Sequence, residues 1–262
     1  MAPSQQLPKN WPSHIPYLTT PTYCATLNSS HLKVLRTQTP DGIPIPPSHA
    51  KGPSPLVKIT PINDPSHPAN GQCGLFATRD LKPGTFILQY IGEVHAPNES
   101  TDERIRKMVE VHEKSDYDLS LDRDTGIGVD AQRKGNEARF INDFRGVSIG
   151  GERARVNAEF KEVWDTGRGE RGMGVWVLGE KAGGGKGKGV GRWRGIRKGE
   201  EILVSYGRGF WGARKGEEEW GESCEWVGLG GRGVEEENFW SHSSDLERLN
   251  DSVNEGQFIE PS

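Results

Sequence analysis

Cysteine is scarce. Only Cys24, Cys73 and Cys224 occur in 262 residues, an odd and widely spaced set. Three such thiols build neither a disulfide framework nor a four-ligand zinc site, so a reducing compartment is expected and a metal is not. Long apolar runs are missing as well. No stretch of about 18 apolar residues occurs, and no charged start followed by an apolar segment opens the chain, which argues against membrane spanning and secretion. Hydrophobic residues make up only 32% and the mean hydropathy is -0.70, so one core with unstructured flanks is expected. A strong excess of one charge is absent too. The net charge of -4 excludes a general nucleic-acid coat.

The charge is unevenly placed. Residues 180–198 hold seven Lys/Arg against one acid, and residues 217–262 hold thirteen acids against two Arg. The first 55 residues are rich in Pro, Ser and Thr, with spacings such as Pro44-Ile45-Pro46-Pro47 that favour extended backbone, and read as a mostly disordered arm. Strand patterns follow at Leu56 to Thr60, at Leu75-Phe76-Ala77 and, after the Lys82-Pro83-Gly84 turn, at Thr85 to Tyr90. Apolar positions 105, 108, 109 and 112 predict a helix over 98–114 with Asn or Ser as its cap. Further strands are expected at Asp116 to Leu121, Gly126 to Asp130 and Met173 to Val177, and at the Glu200 to Tyr206 segment. Between the last two, the Gly/Lys-rich run over 179–195 reads as a flexible insertion.

The most specific stretch is Val129-Asp130-Ala131-Gln132-Arg133-Lys134-Gly135-Asn136-Glu137-Ala138-Arg139-Phe140-Ile141-Asn142-Asp143. It is too irregular for an amphipathic helix and too specific for a linker. An Asn amide that donates and accepts, a guanidinium and backbone freed from regular pairing suit an adenine or a carboxylate; a Gly-Asn turn between two buried segments is the plainer reading. Gly74-Leu75-Phe76-Ala77 and Tyr90-Ile91-Gly92-Glu93 precede it, and Gly199-Glu200-Glu201-Ile202-Leu203-Val204-Ser205-Tyr206 follows.

This ordered series resembles the SET domain of protein-lysine methyltransferases, over roughly residues 56 to 212. The resemblance implies a mostly β fold with short helices, small sheets and a carboxy-terminal pseudoknot, with the arm before residue 56 and an acidic, partly disordered tail over 213–262. It implies S-adenosyl-L-methionine as cofactor, held by Gly74, Leu75, Arg139, Asn142, Asp143 and Trp211. Tyr206 and Tyr90 are then the catalytic residues, with Tyr117, Val204 and Phe210 along the substrate channel. Two departures stand out. Gln72 stands where the family has a second Gly, and Asp143-Phe144-Arg145 replaces the usual His-Ser-Cys. With the zinc-cluster cysteines also absent, no metal is implied. The expected partner is a protein substrate such as a histone tail, met by a monomer in the nucleus, with a cytoplasmic site also open. The alternative is a catalytically weak or inactive SET-like scaffold that binds a protein partner. A third reading, contact with nucleic acid through residues 180–198, rests on their charge alone.

Overall fold

The structure is a computed structural model that describes residues 7–179, 195–207, 210 and 211. The insertion over 180–194 and the acidic tail with Trp220, Trp226 and Trp240 lie outside the described residues. The chain divides into two compact units, residues 1–205 and residues 206–262.

The first unit begins with β1 (Thr22–Tyr23), α1 (Ser29–Leu35) and β2 (Ile43–Pro44). It continues through β3 (Val57–Pro61), β4 (Cys73–Ala77), β5 (Phe86–Tyr90), β6 (Glu93–His95), α2 (Glu103–Glu113), β7 (Asp118–Asp122) and β8 (Ile127–Asp130). A 3-10 turn over Glu137–Phe140 leads into β9 (Asn142–Asp143), β10 (Ser148–Ile149), β11 (Glu152–Arg153), β12 (Ala158–Asp165), β13 (Glu170–Val177) and β14 (Leu203–Val204). The architecture is mostly β with short helices, as expected. One four-stranded sheet runs β1-β6-β8-β7 and another β2-β12-β13-β5, beside the pairs β3-β4, β9-β14 and β10-β11.

Local chemistry explains the longest strands. The five residues of β5, Phe-Ile-Leu-Gln-Tyr, are all buried, which suits a run without polar alternation. β12 and β13 form a hairpin whose turn is closed by Asp165, its Oδ1 accepting the N–H groups of Gly167 (2.9 Å) and Arg168 (3.1 Å). Leu75, Leu88, Ile127, Met173, Val175 and Leu203 are among the fully buried side chains, each worth about 1.5–3 kcal/mol of apolar transfer.

Three findings differ from the sequence reading. The amino-terminal segment is not a loose arm: β1 pairs parallel with β6 and β2 pairs parallel with β12. Its prolines are tolerated because β2 lies at a sheet edge, where a missing N–H costs no ladder bond. Helix α2 is capped by Asp102, whose side chain accepts the Arg104 N–H at 2.8 Å, instead of by Asn or Ser. Within α2, Met108 is exposed and His112 is buried, so the apolar stripe is only partly the packed face.

Strand β14 returns to the middle of the unit and pairs parallel with β9, setting Leu203 opposite Asn142 and Val204 opposite Asp143. The Phe144 N–H extends the pair to the Val204 carbonyl at 3.0 Å. The Tyr-x-Gly-Glu step is equally constrained. A Cβ on Gly92 would lie 2.2 Å from the Asp130 carbonyl oxygen, so no larger residue lets β8 pass there.

Candidate active site

Glu201 is the junction at which the motifs meet. It is buried, and its carboxylate accepts the Asn142 Nδ2–H at 2.8 Å on one oxygen and faces His67 Nε2 at 3.0 Å on the other. His67 Nδ1 accepts the Ala69 N–H at 3.0 Å, which leaves the ring proton on Nε2 to be donated to Glu201. Asn157 Nδ2–H donates to the Glu201 carbonyl at 2.7 Å, and Asn157 Oδ1 accepts the Leu203 N–H at 2.8 Å. Gly74 completes the junction. A Cβ there would stand 2.4 Å from Glu201 Oε1, so the missing side chain is what admits the carboxylate.

Just before Gly74 the chain turns at the surface, the Gly71 N–H bonded to the Ile62 carbonyl at 2.9 Å and the Gln72 N–H to the Ala69 carbonyl at 3.0 Å. Gln72 is exposed, Cys73 is half-buried, and a Cβ on Gly71 would touch nothing within 4 Å. Leu75 is wholly buried, so its side chain is closed to a ligand, and its carbonyl already accepts the Ile202 N–H at 2.8 Å. Asp143 is buried; its carboxylate takes the Arg145 N–H and guanidinium, both at 2.8 Å. Any part it plays in binding therefore runs through its main chain. Val204 is fully buried within the β9-β14 pair.

A second group gathers around Tyr90. This buried residue at the end of β5 donates its hydroxyl proton to the Tyr117 carbonyl at 2.7 Å, and its ring meets Phe160 edge to face at 5.8 Å. Tyr117 is half-buried, with the Arg139 guanidinium 4.5 Å above its ring. Arg139 also donates to the carbonyls of Ala131 (3.0 Å) and Gln132 (3.2 Å), so it braces the strand end beside Tyr117. In the second unit, the Tyr206 ring packs edge to face on Phe210 at 4.7 Å, and Phe210 on Trp211 at 5.3 Å.

The SET-domain family model matches residues 72–207, just over half of the chain. The chain belongs to the SET-domain family. Among curated SET relatives, it is 36% identical over 69 residues to the histone-lysine N-methyltransferase ASHH3 of Arabidopsis thaliana, covering 26% of this chain and 18% of that protein. It is 39% identical over 79 residues to SUVR4, another histone-lysine N-methyltransferase of Arabidopsis thaliana, covering 26% of this chain and 15% of that protein. The chain thus spans less than a fifth of the length of these SET relatives. Among solved structures, the Polycomb Repressive Complex 2 of Chaetomium thermophilum in an autoinhibited conformation bound to S-adenosylmethionine is 23% identical, with a TM-score of 0.39, over 60% of this chain and 16% of that one.

Three residues of this polar junction escaped the sequence reading. His67 lies in a Pro-rich loop and Glu201 is 134 positions away, so nothing local joins them. Asn157 sits in a recognisable strand start, yet its double hydrogen bond to the Glu201–Leu203 backbone is visible only once β14 is in place. Among the described residues no cluster of three or more His, Cys, Asp or Glu is placed to hold a metal ion, and no helix is long and apolar enough to cross a membrane.

Proposed function

We propose that the chain is an S-adenosylmethionine-dependent protein-lysine N-methyltransferase that acts on a histone tail in the nucleus. The observation that carries this reading is the parallel β9-β14 pair, which sets Asn142 beside Leu203 and ties it through Glu201 to Gly74. Three motifs far apart in sequence thereby become one polar edge. That edge fits the cofactor: the exposed turn at Gly71-Gln72, beside a Gly74 without a side chain, leaves room for an amino-acid group, and the half-buried Asn142 amide suits a ribose or adenine. Gly74, Leu75, Arg139, Asn142, Asp143 and Trp211 are assigned to hold it, with Leu75 and Asp143 acting through backbone. When bound, the cofactor supplies a methyl carbon activated by a positively charged sulfur.

The chain's own residues then act on the lysine. Tyr90, Tyr117, Val204 and Phe210 are assigned to its channel, where apolar and aromatic walls exclude water. A free lysine titrates near pH ~10.4, and desolvation favours the neutral amine that transfer requires. The Tyr90 hydroxyl, aimed by its hydrogen bond to the Tyr117 carbonyl, is assigned to orient the amine. Tyr206 is assigned the same task at the methyl end. The relatives' names support a histone as substrate; the protein is read as a monomer, and residues 180–198 as an electrostatic contact for nucleic acid.

Transfer of labelled methyl from S-adenosylmethionine to core histones, with Tyr206→Phe in parallel, tests the reading. Label on one histone band that the variant loses supports it. No label and no cofactor binding by calorimetry would replace it with the inactive scaffold.

A further inference from the structure

The first unit buries a second polar cluster that the proposed chemistry does not use. His112, near the carboxy-terminal end of α2, is 5% exposed, and its Nδ1 lies 2.8 Å from Asp130 Oδ2. The other Asp130 oxygen accepts the Ser115 hydroxyl at 2.7 Å and the Gln132 N–H at 2.8 Å. The Ser115 oxygen accepts the Tyr117 N–H at 3.1 Å, and the Tyr117 carbonyl accepts the Tyr90 hydroxyl. Hydrogen bonds and the Tyr117 backbone therefore link the α2 ring to Tyr90, at a carbonyl that also accepts the Ala131 N–H, next to Asp130 in β8, at 3.1 Å.

Titratable groups of β6 gather around the ring. His95 of β6 stacks on it at 4.0 Å, nearly parallel, and is itself held by Asp118 of β7 at 2.8 Å. Glu93, also of β6, places Oε2 3.9 Å from His112 Nε2 while its other oxygen holds Lys134 at 2.8 Å. Burial pulls the ring's pKa down, but its hydrogen bonds with Asp130 and Cys24 outweigh that and raise it to about 8.

Resting on the methyltransferase reading, we propose that His112 is a positioning residue: through Asp130 and Ser115, its charge state sets the Tyr117 carbonyl and with it the Tyr90 hydroxyl that orients the substrate amine. Protonated, the ring directs one N–H at Asp130 and the other toward Glu93, and so clamps α2 onto both β8 and β6. The carboxylate of Asp130 keeps a proton on Nδ1, so the proton lost on titration is the one on Nε2. Glu93 then faces a lone pair, the Asp130 contact loses its charge, and the segment carrying Ser115 and Tyr117 slackens. Substrate engagement weakens as pH rises through the ring's titration, against the gain from a more neutral substrate lysine.

The test measures KM for core histones from pH 6.5 to 9.5 in the wild type, His112→Gln and Ser115→Ala, beside the cofactor Kd and the amide shifts of Gln132 and Tyr117. In the wild type, KM should rise about threefold to tenfold across the ring's titration, the fold-change that loss of one charge-assisted hydrogen bond brings. Both variants should lack that rise, with the cofactor Kd unmoved. The Gln132 and Tyr117 amides should titrate near pH 8 in the wild type and not in His112→Gln. Ser115→Ala leaves the helix ring in place, so it decides the matter even where His112→Gln fails to fold. Variant KM profiles parallel to the wild type overturn the positioning role alone. A wild type that neither binds cofactor nor transfers methyl overturns the methyltransferase reading, and the role with it.

Discussion

Glu201 and Gly74 occupy one small volume, and each is legible only through the other. The carboxylate is fixed by Asn142 and His67 and cannot swing aside, so a methyl group 2.4 Å from Oε1 has no cheap accommodation. Gly74→Ala is expected to cost about 1–3 kcal/mol in urea unfolding, the usual range for overpacking. In a Glu201→Ala background the same change should cost far less, because the clashing atoms are gone. Additive costs in that cycle would show that Gly74 answers to something other than Glu201. His112 yields a second prediction, on stability. Its pKa is raised from 6.5 to about 8 in the folded chain, so the folded state binds the proton more tightly than the unfolded one. The stabilisation is fully present below pH 6.5 and is lost as pH rises through about 8; it amounts to about 2 kcal/mol. Urea midpoints at pH 6 and pH 9 should differ by that contribution in the wild type, and the part due to His112 should vanish in His112→Gln.

Helix α2 shows what pattern reading reaches and where it stops. Its existence follows from apolar spacing, but its cap does not, because Asn98 and Ser100 are engaged earlier: Asn98 Oδ1 accepts the Ser100 N–H and Ser100 Oγ accepts the Asp102 N–H. Those two residues shape the approach, and Asp102 is left to cap. Asp102→Ala should therefore lower stability by about 1 kcal/mol, while Asn98→Ala leaves the helix end intact, a contrast that thermal melts by circular dichroism would resolve. That apolar spacing sets Met108 and His112 on one stripe, yet only His112 is buried, because β8 offers the helix a carboxylate at Asp130 that a thioether cannot use. Strands β3, β4, β5, β7, β8 and β13 were readable from β-branched and aromatic runs, since those signals are local. Pairing of β9 with β14 was not, because it joins residues 61 positions apart and no local pattern announces it. The cofactor-side residues were thus legible as motifs, whereas the Glu201–His67 contact that braces them is a tertiary fact without a sequence signal of its own.

At the scale of the first unit, the amino-terminal segment is part of the fold and its removal should be felt throughout. Composition misleads here, because Pro-rich backbone is extended in any case, and extended backbone can pair at an edge as readily as remain solvated. Tyr17 and Gly135 form a bridge in which the Leu18 N–H reaches the Gly135 carbonyl at 2.7 Å, and Trp11 packs edge to face on both Tyr17 and Phe140. The decisive contact is Glu137, 2% exposed, in the middle of the most specific motif. Its carboxylate accepts the Tyr17 hydroxyl at 2.9 Å and the Ser54 N–H at 2.7 Å, so both donors come from the first 55 residues. A chain beginning at residue 56 would bury that carboxylate without them, at about 1–3 kcal/mol for each donor lost, and would also strip β1 and β2 from two sheets. Against a typical total stability of about 5–15 kcal/mol, that sum is expected to abolish cooperative melting near room temperature. Tyr17→Phe removes one donor and keeps the ring, and should cost about 1–3 kcal/mol in urea unfolding with folding retained. A truncated chain that melts cooperatively at the full chain's temperature would mean that Glu137 finds other donors, and that the segment decorates the fold without holding it.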